Sequence, residues 1–233
     1  MNADARELKN VPASDVSASL AQLGTRISGR LKLGLYHQST RYGLRRDLHV
    51  PIKKPSAKIP IEVRPMVRGD LASLLSTDQS DSAEKLEVAR RRAFAERCPK
   101  GCFVAVDQRD GTPCYMQWLI ASTENAFVRH MGGFPELHAH EALLENAYTP
   151  SKYRGLGIMS AAMALIAERG GDMGADYVLT FVDQHNIASL KGCQRAGFFP
   201  HLLHHKVQIG FGMVARDTFE TLAEDDSRRT MTF

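Results

Sequence analysis

The 233-residue chain contains no apolar run approaching the ~18–20 residues that cross a bilayer, so no transmembrane segment is expected. Its first ten residues, MNADARELKN, carry acidic side chains and no apolar core of the signal-peptide kind, which makes the cytoplasm the expected compartment. Cysteine is scarce, with four residues. That is too few for a secreted disulfide framework in a chain of this length, so reduced thiols are expected. Aromatics make up 7% of the chain and Trp118 is the single tryptophan. The basic N-terminal region has no interleaved aromatics and no nucleic-acid-binding signature, so no nucleic-acid partner is expected. Gly-x-Ser-x-Gly is absent, which removes the nucleophile-elbow hydrolases. Gly-x4-Gly-Lys-Ser/Thr is absent too, and the Gly-x-Gly run from Gly155 to Gly157 reaches Ser160 where a dinucleotide fingerprint has its third glycine. No internal repeat or low-complexity tract is present.

What the chain does have is an uneven charge. Residues 1–60 hold eleven Lys/Arg against four Asp/Glu, a balance of +7 in a chain whose total is +4. The basic character therefore belongs to an N-terminal extension. A solvated face or docking onto an acidic surface of the same protein is the plain explanation; an anionic membrane surface or an acidic partner is the sharper one. In the extension, Leu20, Leu23, Ile27 and Leu31 recur at helical spacing after a cap at Ser14 or Asp15. Residues 37–58 show little periodicity and are followed or broken by Pro51, Pro55 and Pro60, so a linker or strap is expected there.

From Ile61 the pattern becomes that of an α/β domain. Strands are expected at Ile61 to Pro65, Gly101 to Val106, Pro113 to Ala121, Glu141 to Tyr148 and Ala175 to Val182. Two more are expected near Pro200 to His205 and Lys206 to Val214. Helices are expected at Asp70 to Ser76 and at Ser82 to Cys98, the latter burying Leu86, Ala89, Ala93 and Phe94. Others start at Ile158 and Asn186, and a short one is expected at Phe219 to Leu222. Ser122 to Ala139 reads as a long loop of the kind that is often functional. The organisation is thus 1–60 extension, 61–215 main domain and 216–233 tail.

The stretch that carries chemistry is Thr149 to Ile166, TPSKYRGLGIMSAAMALI. Arg154-Gly155-Leu156-Gly157-Ile158-Met159 is a glycine-containing turn that opens a helix. The first N–H groups of a helix lack internal partners and sit at the positive end of its dipole, so they suit a phosphate, and Lys152 and Arg154 add full charges. Arg154-x-x-Gly157-x-Met159 resembles the acyl-CoA pyrophosphate loop of the GNAT acetyltransferases, usually Arg/Gln-x-x-Gly-x-Gly/Ala. Arg154 and Gly157 match, and Met159 stands where a small residue is usual. A second segment, NIASLKGCQRAGF from Asn186 to Phe198, resembles a later helix of the same family, Asn-x-x-Ala-x-x-Leu-Tyr-x-x-x-Gly-Phe. Asn186, Gly197 and Phe198 match, whereas Ser189, Gly192 and Cys193 replace the usual Ala, Leu and Tyr. The resemblance covers roughly Ile61 to Val214.

The resemblance implies a GNAT fold, a mixed central sheet with helices on both faces, and acetyl transfer from acetyl-CoA to a primary amine by direct attack. It implies that the pantetheine arm pairs with Asn146, Ala147 and Tyr148 at a strand end. The pyrophosphate would meet the N–H groups of Arg154, Gly155, Leu156, Gly157, Ile158 and Met159, and Asn186 and Ser189 would lie along the arm. A base for the incoming ammonium is expected at Glu145, then Glu141, which alternate onto one strand face. Water wires replace a dedicated base in many members, and an ion-paired strand residue is the plain alternative for each. An acid for the leaving thiolate is expected at Cys193 or Tyr148, against packing roles for both. No metal is implied: Cys98-x3-Cys102 and His138-x-His140 lack further ligands at zinc spacing. The acceptor stays open between small amines and peptides. The donor alternatives are a longer acyl-CoA, acyl carrier protein or aminoacyl-tRNA, and a non-catalytic CoA-binding module is a third class. A homodimer is suggested by analogy with the family only.

Overall fold

The computed structural model describes residues 34–76, 82–98 and 100–233. The amphipathic pattern at Leu20 to Leu31 lies outside the described residues. The described chain forms strands β1 (Tyr36–Asp47), β2 (Ile61–Pro65), β3 (Cys102–Asp107), β4 (Pro113–Ala121), β5 (Glu141–Tyr148), β6 (Tyr177–Asp183), β7 (Phe199–Ile209) and β8 (Val214–Thr221). The α-helices are α1 (Asp70–Leu74), α2 (Ser82–Arg97), α3 (Asn125–Met131), α4 (Ile158–Glu168) and α5 (Ile187–Arg195). The strands make one sheet in the order β2-β3-β4-β5-β6-β1-β7-β8. Pairing is antiparallel from β2 to β5, parallel between β5 and β6, and antiparallel between β6 and β1. This is the expected mixed sheet. No described helix is long and apolar enough to cross a membrane.

Alternating strand residues feed two cores, one on each sheet face. Leu119 and Leu144 join Ala162, Ile166 and Phe198 on the α4 and α5 side. Trp118, Ile120 and Leu143 join Leu74, Val88 and Val128 on the side of α1, α2 and α3. Every residue of β4 is buried, as a central strand covered on both faces requires.

Residues 36–47 correct the expectation of a strap. They form β1, which pairs with β6 through seven residues, Arg41↔Asp183 to Asp47↔Tyr177, and buries Leu44 completely. Arginines hid the strand: Arg41, Arg45 and Arg46 interrupt the apolar pattern, yet each finds a partner. Arg46 Nη1 donates to the Ala164 carbonyl at 2.8 Å and Arg46 Nη2 to Glu168 at 3.3 Å, while Arg45 lies over the Tyr177 ring. Residues 48–60 do run without regular structure, with Ile52, Ala57 and Ile59 on the core. The Lys58 N–H donates to Leu156 O at 2.8 Å, which ties this stretch to the glycine turn.

Three further elements differ from expectation. The α2 stripe that turns inward is Glu84, Glu87, Val88, Arg91, Phe94 and Ala95, whereas Leu86 is 39% exposed. An apolar count selects the wrong face here because part of the true inner face is polar. The long loop contains α3, and the Asn125 side chain closes it by bonding both the carbonyl and the N–H of Leu137. At the C-terminal end, one strand runs from Phe199 to Ile209. The left-handed residues Gly210, Phe211 and Gly212 then reverse the chain, and β8 occupies the place of the expected helix at Phe219. Residues 34–39 and 206–217 form a small unit of their own, in which Leu35 and Gly34 carbonyls accept from Gly210 and Phe211.

Candidate active site

The site begins where β5 and β6 part. Their parallel pairing covers only Glu141↔Tyr177, Ala142↔Val178 and Leu143↔Leu179. Beyond it β5 is deformed on its other edge as well. Trp118 pairs with Glu145 and Met116 with Tyr148, so Gln117 alone opposes Asn146 and Ala147. This is a β-bulge, and Asn146 takes a left-handed φ of 60° to make it. The bulge turns the end of β5 away from β6 and leaves strand groups facing a gap.

Two connected lines of residues occupy the opening. An outer cleft of about 790 Å³ runs from Ala147 and Tyr148 past Arg154, Gly155 and Gly157 to Asn186 and Ser189. An inner pocket of about 190 Å³ holds Glu145, Asn146, Gln117, Thr180, Cys193 and Arg91. Met159 lines both.

The outer cleft gathers groups that suit an anion. Gly157 has φ 74° and caps α4, so the first N–H groups of that helix point out of its end. A Cβ at Gly157 would sit 3.2 Å from the Ser56 carbonyl, so the turn and residues 56–58 fit only without a side chain. The lining includes Arg154, Lys191 and Arg195, with Arg91 at the border shared with the inner pocket, against one acid, Glu87. Two positions behave differently from the rest of the turn. The Arg154 N–H is engaged by Ser151 O at 3.1 Å, and the Leu156 carbonyl is held by Lys58. Leu156 packs on the core and is not among the cleft-lining residues. Asn186 caps α5, its Oδ1 accepting from the Ser189 N–H at 3.2 Å.

Met159 and Gly192 account for each other. A Cβ at Gly192 would lie 3.2 Å from Met159 Sδ. The large residue on α4 therefore fills the room that a larger one on α5 would take. Two of the departures from the family pattern thus lie against each other.

The inner pocket is polar and incompletely paired. Glu145 Oε2 accepts from the Asn146 N–H at 3.2 Å, and Oε1 is buried with no hydrogen-bond partner. Burial raises the Glu145 pKa; Arg41, the Asn146 and Phe181 N–H groups and Arg91 oppose that rise without cancelling it. The Phe181 N–H favours the charge from across the gap without completing a hydrogen bond. Arg91 reaches in from α2, donating to Glu87 Oε1 at 2.6 Å and to Asn146 Oδ1. Its Nε is also buried and unpaired, as is Asn146 Nδ2. Cys193 is 1% exposed, and burial, reinforced by Glu145, pushes its thiol up to about 12. Tyr148 O–H donates to Glu84 Oε1 at 3.4 Å; burial, and then Glu84, raises its pKa.

Glu141 does not reach this gap. It lies where β5 and β6 are still paired, and its carboxylate accepts from the His138 N–H at 2.9 Å. Sharing a strand face with Glu145 does not bring it to the opening, which starts after Leu143. The structure adds Arg91, Gln117 and Tyr115, which the pattern did not single out. Tyr115 is fully buried and donates to Gln117 Oε1 at 2.6 Å. The available signal for Arg91 was the polar 84–87–91 stripe at helical spacing. Among the described residues, no three His, Cys, Asp or Glu side chains group as metal ligands.

Comparison with known proteins bears on this geometry. The profile described as the acetyltransferase (GNAT) family matches residues 70–198. No curated protein matches the chain. Among solved structures, the GCN5-related glucosamine N-acetyltransferase region of a fungal multi-domain GH3 beta-N-acetylglucosaminidase is similar at TM-score 0.51 and 15% identity, over 88% of this chain and 24% of that one. A GNAT-family acetyltransferase from Colwellia psychrerythraea aligns at TM-score 0.48 and 12% identity, over 86% of this chain and 74% of its own. A Drosophila protein aligns at 0.49 and 12%, over 88% of this chain, which spans 60% of that protein's length. At these identities the fungal likeness is one of fold.

Proposed function

The chain belongs to the GNAT acetyltransferase family and is an acyltransferase; on that footing we propose that it transfers an acetyl group from acetyl-CoA to a primary amine by direct attack. The observation that carries this is the opening between β5 and β6. Strand pairing stops at Leu143↔Leu179, β5 bulges at Asn146, and the gap joins an anion-suited helix terminus to a buried carboxylate. Bound acetyl-CoA would supply the activated acyl carbon as a thioester, with the CoA thiolate as leaving group.

The residues present fit that donor. The α4 N-terminus, with the backbone of Gly155, Gly157, Ile158 and Met159, holds the pyrophosphate, and Arg154, Lys191 and Arg195 supply charge. Asn146, Ala147 and Tyr148 present the end of β5 to the arm, with Asn186 and Ser189 facing it from α5. Nothing happens to the phosphates, so no metal role is assigned.

Glu145 is the proposed base. An alkylammonium with pKa near 10 has no lone pair at neutral pH, and the raised Glu145 is better matched to it than an ordinary carboxylate. Cys193 is assigned no acid role. With its pKa near 12 it would give a proton uphill to a thiolate whose own acid titrates near ~8.5. Tyr148 is the proposed hydrogen-bond donor to the departing sulfur, since a phenol donates more strongly than a thiol.

The testing experiment is thermal melting with acetyl-CoA, CoA, NAD and ATP, followed by thiol release across an amine panel. A ligand bound by the folded state alone raises the melting temperature by mass action, about 2.7 kcal/mol at a hundredfold excess over Kd. A rise with acetyl-CoA and CoA alone, then amine-dependent thiol release, is the expected result. No rise with either, or no release with any amine, would overturn the proposal.

A further inference from the structure

The inner pocket carries more information than a base alone requires. Three of its polar atoms are buried and have no partner: Arg91 Nε, Asn146 Nδ2 and Glu145 Oε1. Buried polar groups are paired in nearly all folded proteins, so three orphans in one 190 Å³ pocket mark atoms that a ligand completes. The inventory is also directional. Two are donors and one is an acceptor. Their complement is a molecule that offers an acceptor to Arg91 and Asn146 and a donor to Glu145.

Charge sharpens this. Arg91 and Glu145 both line the pocket, so its inner wall is dipolar. A bare ammonium there would gain Glu145 and lie beside the Arg91 guanidinium, whose acidic partner, Glu87, lines the outer cleft and not the inner pocket. An ammonium with a nearby carboxylate would match both ends. Arg91 is already oriented for such a carboxylate, because Glu87, one helical turn before it, takes Nη2 and Asn146 takes Nη1. Two of the five guanidinium donors are thus committed, the side chain is fixed, and Nε stays available. A planar fork with a spare edge is the group that reads a carboxylate. Size limits the ligand as well, since 190 Å³ falls below the ~300–1,000 Å³ of pockets for drug-sized molecules.

Resting on the transfer function proposed above, we infer that the acceptor is a small amine with a carboxylate a few bonds from its nitrogen, a free α-amino acid being the simplest, and that Arg91 reads the carboxylate while Glu145 takes the ammonium. Arg91 is then the residue that decides acceptor class. Glycine-turn contacts serve the donor and are untouched by this choice.

The test uses matched trios: an amino acid, its carboxamide and the amine lacking the carboxyl group, run across the common amino acids. Two readouts are taken with each, melting of the CoA-loaded full chain and thiol release from acetyl-CoA. The expected result is a preference for the acid over its carboxamide of at least about 30-fold in kcat/KM, the size of a buried charge pair. In Arg91→Gln that preference collapses to a few-fold, carried by KM, while the melting rise with CoA is retained. Arg91→Lys, which keeps the charge and loses the fork, falls between.

Carboxamides or plain amines used as well as acids would overturn the inference, as would a preference that survives Arg91→Gln. Loss of the CoA melting rise in Arg91→Gln would assign Arg91 to the donor and overturn it too. The two proposals separate cleanly. Arg91-dependent binding of acids without transfer would keep this site and sink acetyl transfer. Transfer to amines with no acid preference would do the reverse, and no binding or transfer of any acid, carboxamide or amine would end both.

Discussion

Replacing Glu145 with glutamine should move rate and stability in opposite directions. The substitution keeps the side-chain volume and the acceptor for the Asn146 N–H, and removes the charge. A positioned base contributes about 10²–10⁴-fold, so kcat/KM for the acceptor should fall by about 10²–10³-fold at neutral pH. Binding of acetyl-CoA should be nearly unchanged, because Glu145 lines the inner pocket and not the phosphate end of the cleft. Stability follows from the raised pKa. A carboxyl whose folded pKa lies above its unfolded value gives its full contribution below the unfolded pKa and loses it as pH rises through the folded value. Once ionised, Glu145 therefore costs stability, and its Oε1 has no partner. Glutamine leaves a polar group at this position and removes only the desolvated charge, a relief on the order of 1–3 kcal/mol. Each kcal/mol raises the melting temperature of a chain this long by roughly 2–4 °C. The assay is thiol release at saturating acetyl-CoA from acid to alkaline pH, with melting scans of both proteins. Wild-type kcat/KM should climb with pH to a plateau as Glu145 ionises, and the variant should lack that limb. A variant that keeps full activity, or melts lower than wild type at neutral pH, would refute both the base and the account of its environment.

Other outcomes follow from the same geometry. Arg154→Glu sets a carboxylate against the proposed pyrophosphate position and should weaken acetyl-CoA by at least about 100-fold, read as loss of the melting rise; unchanged affinity would refute the loop assignment. Cys193→Ala should change kcat by less than about threefold, since a thiol near pKa 12 is no useful acid at neutral pH; a hundredfold loss would restore it to that role. Gly192→Leu should destabilise by about 1–3 kcal/mol against Met159, and adding Met159→Ala should recover most of the loss. Independent effects in that double-mutant cycle would dissolve the compensation. Leu44→Ala, in the strand that seals β6, should cost about 2–5 kcal/mol in denaturant unfolding, and a cost below ~1 kcal/mol would contradict its place in the core.

How legible the molecule was depended on the range of the interaction involved. The elements from Ile61 onward follow from local pattern: β2, β4 and β5 span the residues that alternation and turn signals indicate. The glycine turn and its helix could be read because the N-terminus of a helix is a local device, set by neighbours in the chain. Elsewhere local pattern misled. Residues 36–47 looked like a strap because three arginines break the apolar period, and only contacts with α4 and β6 make them a strand. On α2 the apolar residues Leu86, Ala89 and Ala93 face outward, and the inward stripe carries Glu84, Glu87 and Arg91 because it borders a cleft.

The sequence by itself determined the family and offered the glycine turn as a candidate anion site and Glu145 as a candidate base, because each rests on a short motif or on strand alternation. Only the tertiary structure separates Glu145, which lines the inner pocket, from Glu141, which does not. Alternation makes the two equivalent, whereas the parting of β5 from β6 after Leu143 opens the gap to one of them. It also placed Cys193 deep in the core, where burial pushes its thiol up to about 12, and it brought Arg91 to Asn146 from 55 residues away. Desolvation and long-range pairing depend on what surrounds a group in space, and no window of sequence contains that.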